Sequence, residues 1–267
     1  MRRKGLAYFY AVVFAAVLLV IEIIVRVFVG FPHLYVEHPT AEYLPLPASS
    51  ATYFGVEYTL NDWGMRSGPI EREKPDGVYR VLVLGDEVMF GPGVEQEDLP
   101  TRALEKKLSI GRRAEVLNVS APGWGPGNLL AYVRKFGLFG ADRVIWVARG
   151  SDLKDDREFG PLDPYAQPTS RALWYTGFYL GRLVSSPFEK SAASGDARGA
   201  AAALLDELTR SGVPTCLVLH PSATEAATGE TGVDLTALSE IARQSRVSSV
   251  RGEGVGALAR SLASCGS

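Results

Sequence analysis

The chain has 267 residues, 46% of them hydrophobic and 22% charged, with a formal net charge of -2 at pH 7. That length holds one sizeable core and a smaller appendage. A charge balance so near neutral, with no basic stripe beyond the first turn, excludes a nucleic-acid-binding surface.

Basic residues open the chain in MRRKG, and the apolar run LAYFYAVVFAAVLLVIEIIVRVFVGF follows. At about 1.5 Å of rise per residue, roughly 20 residues cross the hydrocarbon, so Leu6 to Val29 is long enough for a transmembrane helix. Glu22 and Arg26 fall four apart toward one end of the run and can pair on one face, as an interfacial ion pair or as a contact for a partner helix. A cleaved signal peptide is the competing reading. The run lacks a small-x-small cleavage site and is longer than a usual signal core. Residues 1–30 are therefore read as a cytoplasmic basic start and one retained span of the cytoplasmic membrane. The N-terminus then lies inside and the main domain is periplasmic or extracellular.

Residues 31–77 shift to Pro, Tyr, Glu and Ser, and read as a membrane-proximal collar. Thr52-Tyr53-Phe54 and Val56-Glu57-Tyr58 alternate as short strands do, and the prolines exclude a long helix. NDWGMRS, Asn61 to Ser67, reads as a turn whose aromatic and arginine dock on the edge of a sheet. Trp63 is either packing or a contact surface.

The main domain is expected over 78–267. In VYRVLVLGDEVMFGPGV an apolar run is cut by Gly85, two acids follow, and Gly91-Pro92-Gly93 gives a second corner. That is how a buried parallel strand passes into a loop at the carboxyl edge of an open sheet, where such sheets place their sites. LPTRALEKKLSI predicts a helix with Leu99, Leu104 and Leu108 inward. AEVLNVSAPGWGPGN predicts a strand and a glycine-rich corner, LLAYVRKFGLF a helix, and DRVIWVARGSD a third strand. An aromatic insertion near 153–195 carries Trp174, Tyr175, Phe178 and Tyr179, and suits a lid, a partner surface or core packing. A helix in DARGAAAALLDELTRSG, a strand in VPTCLVLHP, a helix in LTALSEIARQS, a weak strand in VSSV and a helix in EGVGALARSLASC complete the chain. Repeated strand-then-helix units predict a three-layer α/β/α sandwich with a parallel sheet, flavodoxin-like in class, behind one transmembrane helix. Cys216 and Cys265 offer one intramolecular bridge, and Cys216 inside its strand also reads as a small buried hydrophobe.

GDEVMFGPGV, NVSAPGWGPGN and RGSDLKDD, each after a strand and in this order, resemble the blocks of SGNH or GDSL-type hydrolases, particularly membrane-anchored bacterial ones. NDWGMRS is similar to a motif that precedes the first strand in those anchored members. The resemblance implies a serine nucleophile directly after Gly85-Asp86, where this chain has Glu87. It puts an oxyanion N–H at Ser120, an asparagine donor at Ser151, and the closing acid and base at Arg246 and Ser249. An envelope or cell-surface glycan setting is implied as well.

The residues themselves lack a hydrolase's apparatus. Acyl transfer by serine needs a hydroxyl beside a base, a group orienting that base, and donors for the oxyanion. His33, His38 and His220 are the only imidazoles, and His220 alone ends a strand of the main domain. Ser120, Ser151 and Ser222 are its conceivable partners. Asp86, Glu87 and Asp152 meet at adjacent strand ends, with Asp155 and Asp156 nearby, and read as structural acids, with Asp86 accepting loop N–H bonds. Glu87 and Asp152 are weak candidates for a hard cation, because the spacing lacks a calcium-loop pattern. The glycine loops fit neither a Walker nor a dinucleotide fingerprint, so no cofactor is expected. The expectation is a catalytically degenerate anchored domain acting as an accessory or scaffolding subunit. Its partner surfaces are Glu22, Arg26, Trp63, Trp174 and Phe178. The alternatives are an envelope acyl esterase or O-acyltransferase with displaced residues, and a glycan- or cation-binding domain.

Overall fold

The computed structural model describes residues 2–29, 34–53, 55–153, 172–173, 176, 196–229, 231–252 and 258–266. Helix α1 (Arg2–Ile24) runs into a π-helical turn, Val25–Val29. Its segment Gly5–Phe28 has a mean hydropathy of 2.7 and none of it is buried, so it suits a single-pass anchor; a signal sequence has the same character. Near its end Arg26 Nε donates to Glu22 Oε1 at 2.6 Å, and the other Glu22 oxygen accepts the Ala172 N–H at 2.9 Å.

The collar is two antiparallel hairpins. β1 (Tyr35–His38) pairs with β2 (Glu42–Pro45), and β3 (Ser49–Tyr53) pairs with β4 (Val56–Leu60). The following turn is built on Asn61, whose Oδ1 accepts the N–H groups of Trp63 and Met65, both at 3.0 Å. A side-chain oxygen aimed at the next amides replaces the ladder bonds the chain gives up there.

The sheet consists of β5 (Val78–Gly85), β6 (Arg113–Ser120), β7 (Arg143–Arg149), β8 (Thr215–His220) and β9 (Ser248–Arg251). All pairs are parallel and the spatial order is β6-β5-β7-β8-β9. Counted from β5 this is 2-1-3-4-5, the flavodoxin-like order, with its crevice where the order reverses beside β5. Alternate residues serve opposite faces. Leu82, Leu84, Leu117, Val144 and Trp146 pack with α4 (Pro126–Phe136), α5 (Ala197–Arg210) and α7 (Val233–Gln244). Val81, Val83, Val116, Ile145 and Val218 pack with α3 (Pro100–Leu108) and α8 (Leu258–Gly266). The expected three-layer architecture is therefore present. Two short helices complete it, α2 (Glu87–Phe90) and α6 (Ala223–Thr228). The second is absent from the sequence reading, although Ser222 and Glu225 form its capping box.

Both hairpins are stitched to loops at the carboxyl edge of the sheet. From the first, Tyr43 Oη donates to Pro122 O at 2.5 Å, and Tyr43 O accepts Trp124 Nε1 at 3.3 Å. From the second, Tyr58 Oη accepts the Gly93 N–H at 2.6 Å. Arg66, wholly buried and 4.3 Å over the Tyr58 ring, donates to Phe90 O at 2.6 Å, Gly91 O at 2.7 Å and Val94 O at 2.5 Å. Gly91 fits here because it closes α2 with φ 71°, and a Cβ there would meet Leu99 Cδ2 at 2.5 Å. Trp63 is half-buried, its ring 5.2 Å from Phe139 and 6.4 Å from Phe136, as its packing reading expects. Tyr53 contributes its backbone to β3, while Phe54 and His33 lie outside the described residues.

Cys216 is buried, as a small hydrophobe would be, and it is bonded to Cys265, tying β8 to α8. Across a separation of 49 residues, the entropy of loop closure corresponds to about 4 kcal/mol. Reduction, or Cys265→Ala, is expected to lower unfolding stability by up to that amount in urea titrations; an unchanged midpoint refutes a stabilising bridge. Arg66→Ala strands three buried carbonyls, and a loss of about 3 kcal/mol is expected, with Arg66→Lys recovering only part because an ammonium lacks the planar fork.

Candidate functional site

At the end of β5 the chain turns at Asp86, which caps α2 by accepting the Val88 N–H on Oδ1 at 2.9 Å. Glu87 then opens α2, so its carboxylate stands over the edge of the sheet. On the neighbouring strand β7 ends at Arg149, and β8, one strand further, ends at His220 in register with it. The loop after β6 brings Gly123 to the same edge.

Arg149 gathers the acids. Its Nε forms an ion pair with Asp86 Oδ2 and lies 3.8 Å from Asp152 Oδ1, while Nη2 meets Glu87 Oε1 at 2.6 Å. Its backbone N–H donates to Asp152 Oδ2 at 2.9 Å. The second Glu87 oxygen accepts the Gly123 N–H at 3.2 Å. Burial pushes the Asp86 carboxyl up to about 6, with the Arg149 charge opposing and the Glu87 charge adding to the rise. Burial, reinforced by Asp86, lifts Asp152 well above the usual carboxylate range. Burial alone would lower Arg149, but its acidic neighbours more than offset this and raise it. His220 is lowered by burial and then by Arg149, so the imidazole is neutral.

The sequence-predicted residues divide accordingly. Asp86, Glu87 and Asp152 come together around the Arg149 guanidinium, which contacts all three carboxylates. Among the described residues no group of acids, histidines or cysteines forms a metal cluster. His220 does lie at this edge, buried, with Nδ1 making no hydrogen bond. None of its proposed serine partners reaches it. Ser120 Oγ donates to Asn118 Oδ1 at 2.7 Å, Ser151 Oγ is 3.5 Å from Asp152 Oδ1, and Ser222 Oγ accepts the Glu225 N–H at 3.2 Å. The amide facing Glu87 belongs to Gly123, not Ser120, because Ser120 is still in the β6 ladder opposite Gly85. Arg246 and Ser249 are also misplaced as acid and base. Ser249 is within β9 opposite Leu217, and Arg246 precedes that strand, away from its carboxyl end. His38 is in the collar, its Nε2 2.7 Å from Lys135 Nζ. Trp174, Phe178, Tyr175, Tyr179, Asp155 and Asp156 lie outside the described residues.

Arg149 was the residue the sequence reading passed over. Its signal is a charge at the last position of a strand that is apolar from Val144 to Ala148, directly before Gly150 and three residues from the loop acid Asp152.

Fold and site together define a three-layer α/β/α domain with a buried ionic cluster at the carboxyl edge of its sheet. No family model and no curated protein matches the chain. Among solved structures it is similar to AlinE4, an SGNH-hydrolase family esterase, at 18% identity over 66% of this chain and 77% of that one, with a TM-score of 0.41. It is similar also to TesA, at 15% identity over 64% and 76% of the two chains with a TM-score of 0.41. A third is a lipolytic protein of the G-D-S-L family from Desulfitobacterium hafniense, at 14% identity over 64% and 76% with a TM-score of 0.37. Each is a likeness of fold.

Asp86 and Asp152 hold protons more tightly in the folded chain than in the unfolded one. The native state therefore binds more protons from the ordinary aspartate value of 3.8 up to about 6 for Asp86, and the raised Asp152 carboxyl acts in the same direction. Stability must fall as pH rises through that window. Thermal melts are expected to decline as pH rises from about 4 to about 6 and to decline less in Asp86→Asn; a wild-type curve rising over that range contradicts this assignment.

Proposed function

We propose that the chain is a membrane-anchored, catalytically silent SGNH-like domain, serving as an accessory or scaffolding subunit of a membrane or envelope complex. The observation that carries this is Glu87. It stands where the resemblance requires a serine, and its carboxylate is paired with Arg149 and accepts the Gly123 N–H. An anion at that point opposes the oxyanion that acyl transfer must stabilise. The neutral imidazole of His220 has none of the candidate serine hydroxyls as a partner. Anchoring is supported by the basic first residues of α1, Arg2, Arg3 and Lys4, and an extracytoplasmic main domain by the Cys216–Cys265 bond. The apolar surface of α1, with Val12, Phe14 and Leu19 each more than half exposed, suits lipid or a partner helix.

Purification in mild detergent is expected to recover a membrane-protein subunit in stoichiometric amount, and exchanging α1 for an unrelated span to release it. No turnover of small acyl esters or acetylated glycans is expected. Recovery as a monomer alone, or turnover abolished by Glu87→Gln or His220→Ala, overturns the proposal; the latter result establishes the esterase or acyltransferase alternative.

A further inference from the structure

Glu87 is held at the carboxyl edge of the sheet as a bound carboxylate would be. Its two oxygens are held separately, Oε1 by Arg149 Nη2 at 2.6 Å and Oε2 by the Gly123 N–H at 3.2 Å. These donors come from the end of β7 and the loop after β6, so neither belongs to the helix that carries Glu87. Two-point, charge-assisted contact of this kind is how a free carboxylate is recognised. We infer that Arg149 and the Gly123 N–H form a carboxylate seat, that Glu87 is its tethered occupant, and that a carboxylate-bearing ligand enters by exchange with it.

The surroundings support exchange. The Glu87 side chain keeps 38% of its exposure, so it can swing to solvent, and one carboxylate replacing another leaves the Arg149 charge matched. The seat stays formed when Glu87 leaves, because Gly123 is bracketed by the Tyr43 contacts to Pro122 and Trp124, and Arg149 is still held by Asp86. Across the ladder from Arg149, His220 is 3% exposed and its Nδ1 makes no hydrogen bond among the described residues. A tethered occupant acts at an effective concentration of millimolar or above, so a simple monocarboxylate competes poorly with it in the wild type.

The inference deepens the reading of the cleft as catalytically silent, and its readout is binding, so enzymatic turnover would sink that reading without deciding this one. The full chain in detergent, as wild type, Glu87→Ala and Glu87→Ala/Arg149→Met, is melted at pH 7 in increasing sodium acetate, with sodium chloride holding ionic strength constant. Glu87→Ala is expected to show a saturable rise in melting temperature with acetate, and the wild type none over the same range. Loss of Arg149 is expected to weaken the response about tenfold or more. A folded Glu87→Ala protein indifferent to acetate, an equal response in the wild type, or a double variant that keeps the response overturns the inference. If Glu87→Ala folds poorly, folded yield in acetate against chloride is the readout, and a yield that acetate does not raise overturns it equally.

Discussion

One guanidinium at the end of β7 makes the carboxyl edge of this sheet possible. Asp86 and Asp152 are nearly inaccessible, at 2% and 6% exposure, and Glu87 stands beside them. Removing an ionised carboxylate from water costs several kcal/mol even after relaxation, and like charges this close raise the cost. Arg149 answers it in two ways, with its side chain to Asp86 and Glu87 and with its own backbone N–H to Asp152. Burial is the main reason that the two aspartates titrate high, and the neighbouring acids add to it. The cluster therefore fixes the loops after β5 and β7 against each other, and Glu87 carries the connection on to the loop after β6.

The collar works on the same loops from the other side. Tyr43 engages the loop after β6, while Tyr58 and Arg66 engage the loop after β5. Open α/β sheets place their variable chemistry on loops held by a rigid scaffold. In this chain two of those loops are gripped from both the sheet and the collar. The arrangement favours a fixed surface over one that closes.

The sheet was legible because its strands are short apolar runs ended by glycine, as at Gly85 and Gly150, and alternation along them decides which face each residue serves. The helices were legible from the spacing of Leu104 and Leu108 and from the alanine run before Leu204. Asp86 was readable as a loop cap because an aspartate after a strand and before a turn has few other uses. Pairings between distant loops were not legible. Arg149 lies 62 residues from Glu87, and nothing local to either reveals that their strands are neighbours. The same holds for Cys216 and Cys265, where the sequence offers the possibility of a bond and only the packing of α8 under β8 brings the sulfurs together. Gly123 and Ser120 are three residues apart, and choosing the amide that faces Glu87 required knowing where the β6 ladder stops.

The connection between α1 and the collar sets a limit on height. Only residues 30–33 separate Val29 from Leu34, and four residues extend over at most about 14 Å. Because Arg66 and Tyr58 weld the collar to the domain, no later hinge lengthens that leash. With α1 seated in a bilayer, the domain rides close above the headgroups instead of sweeping a wide volume.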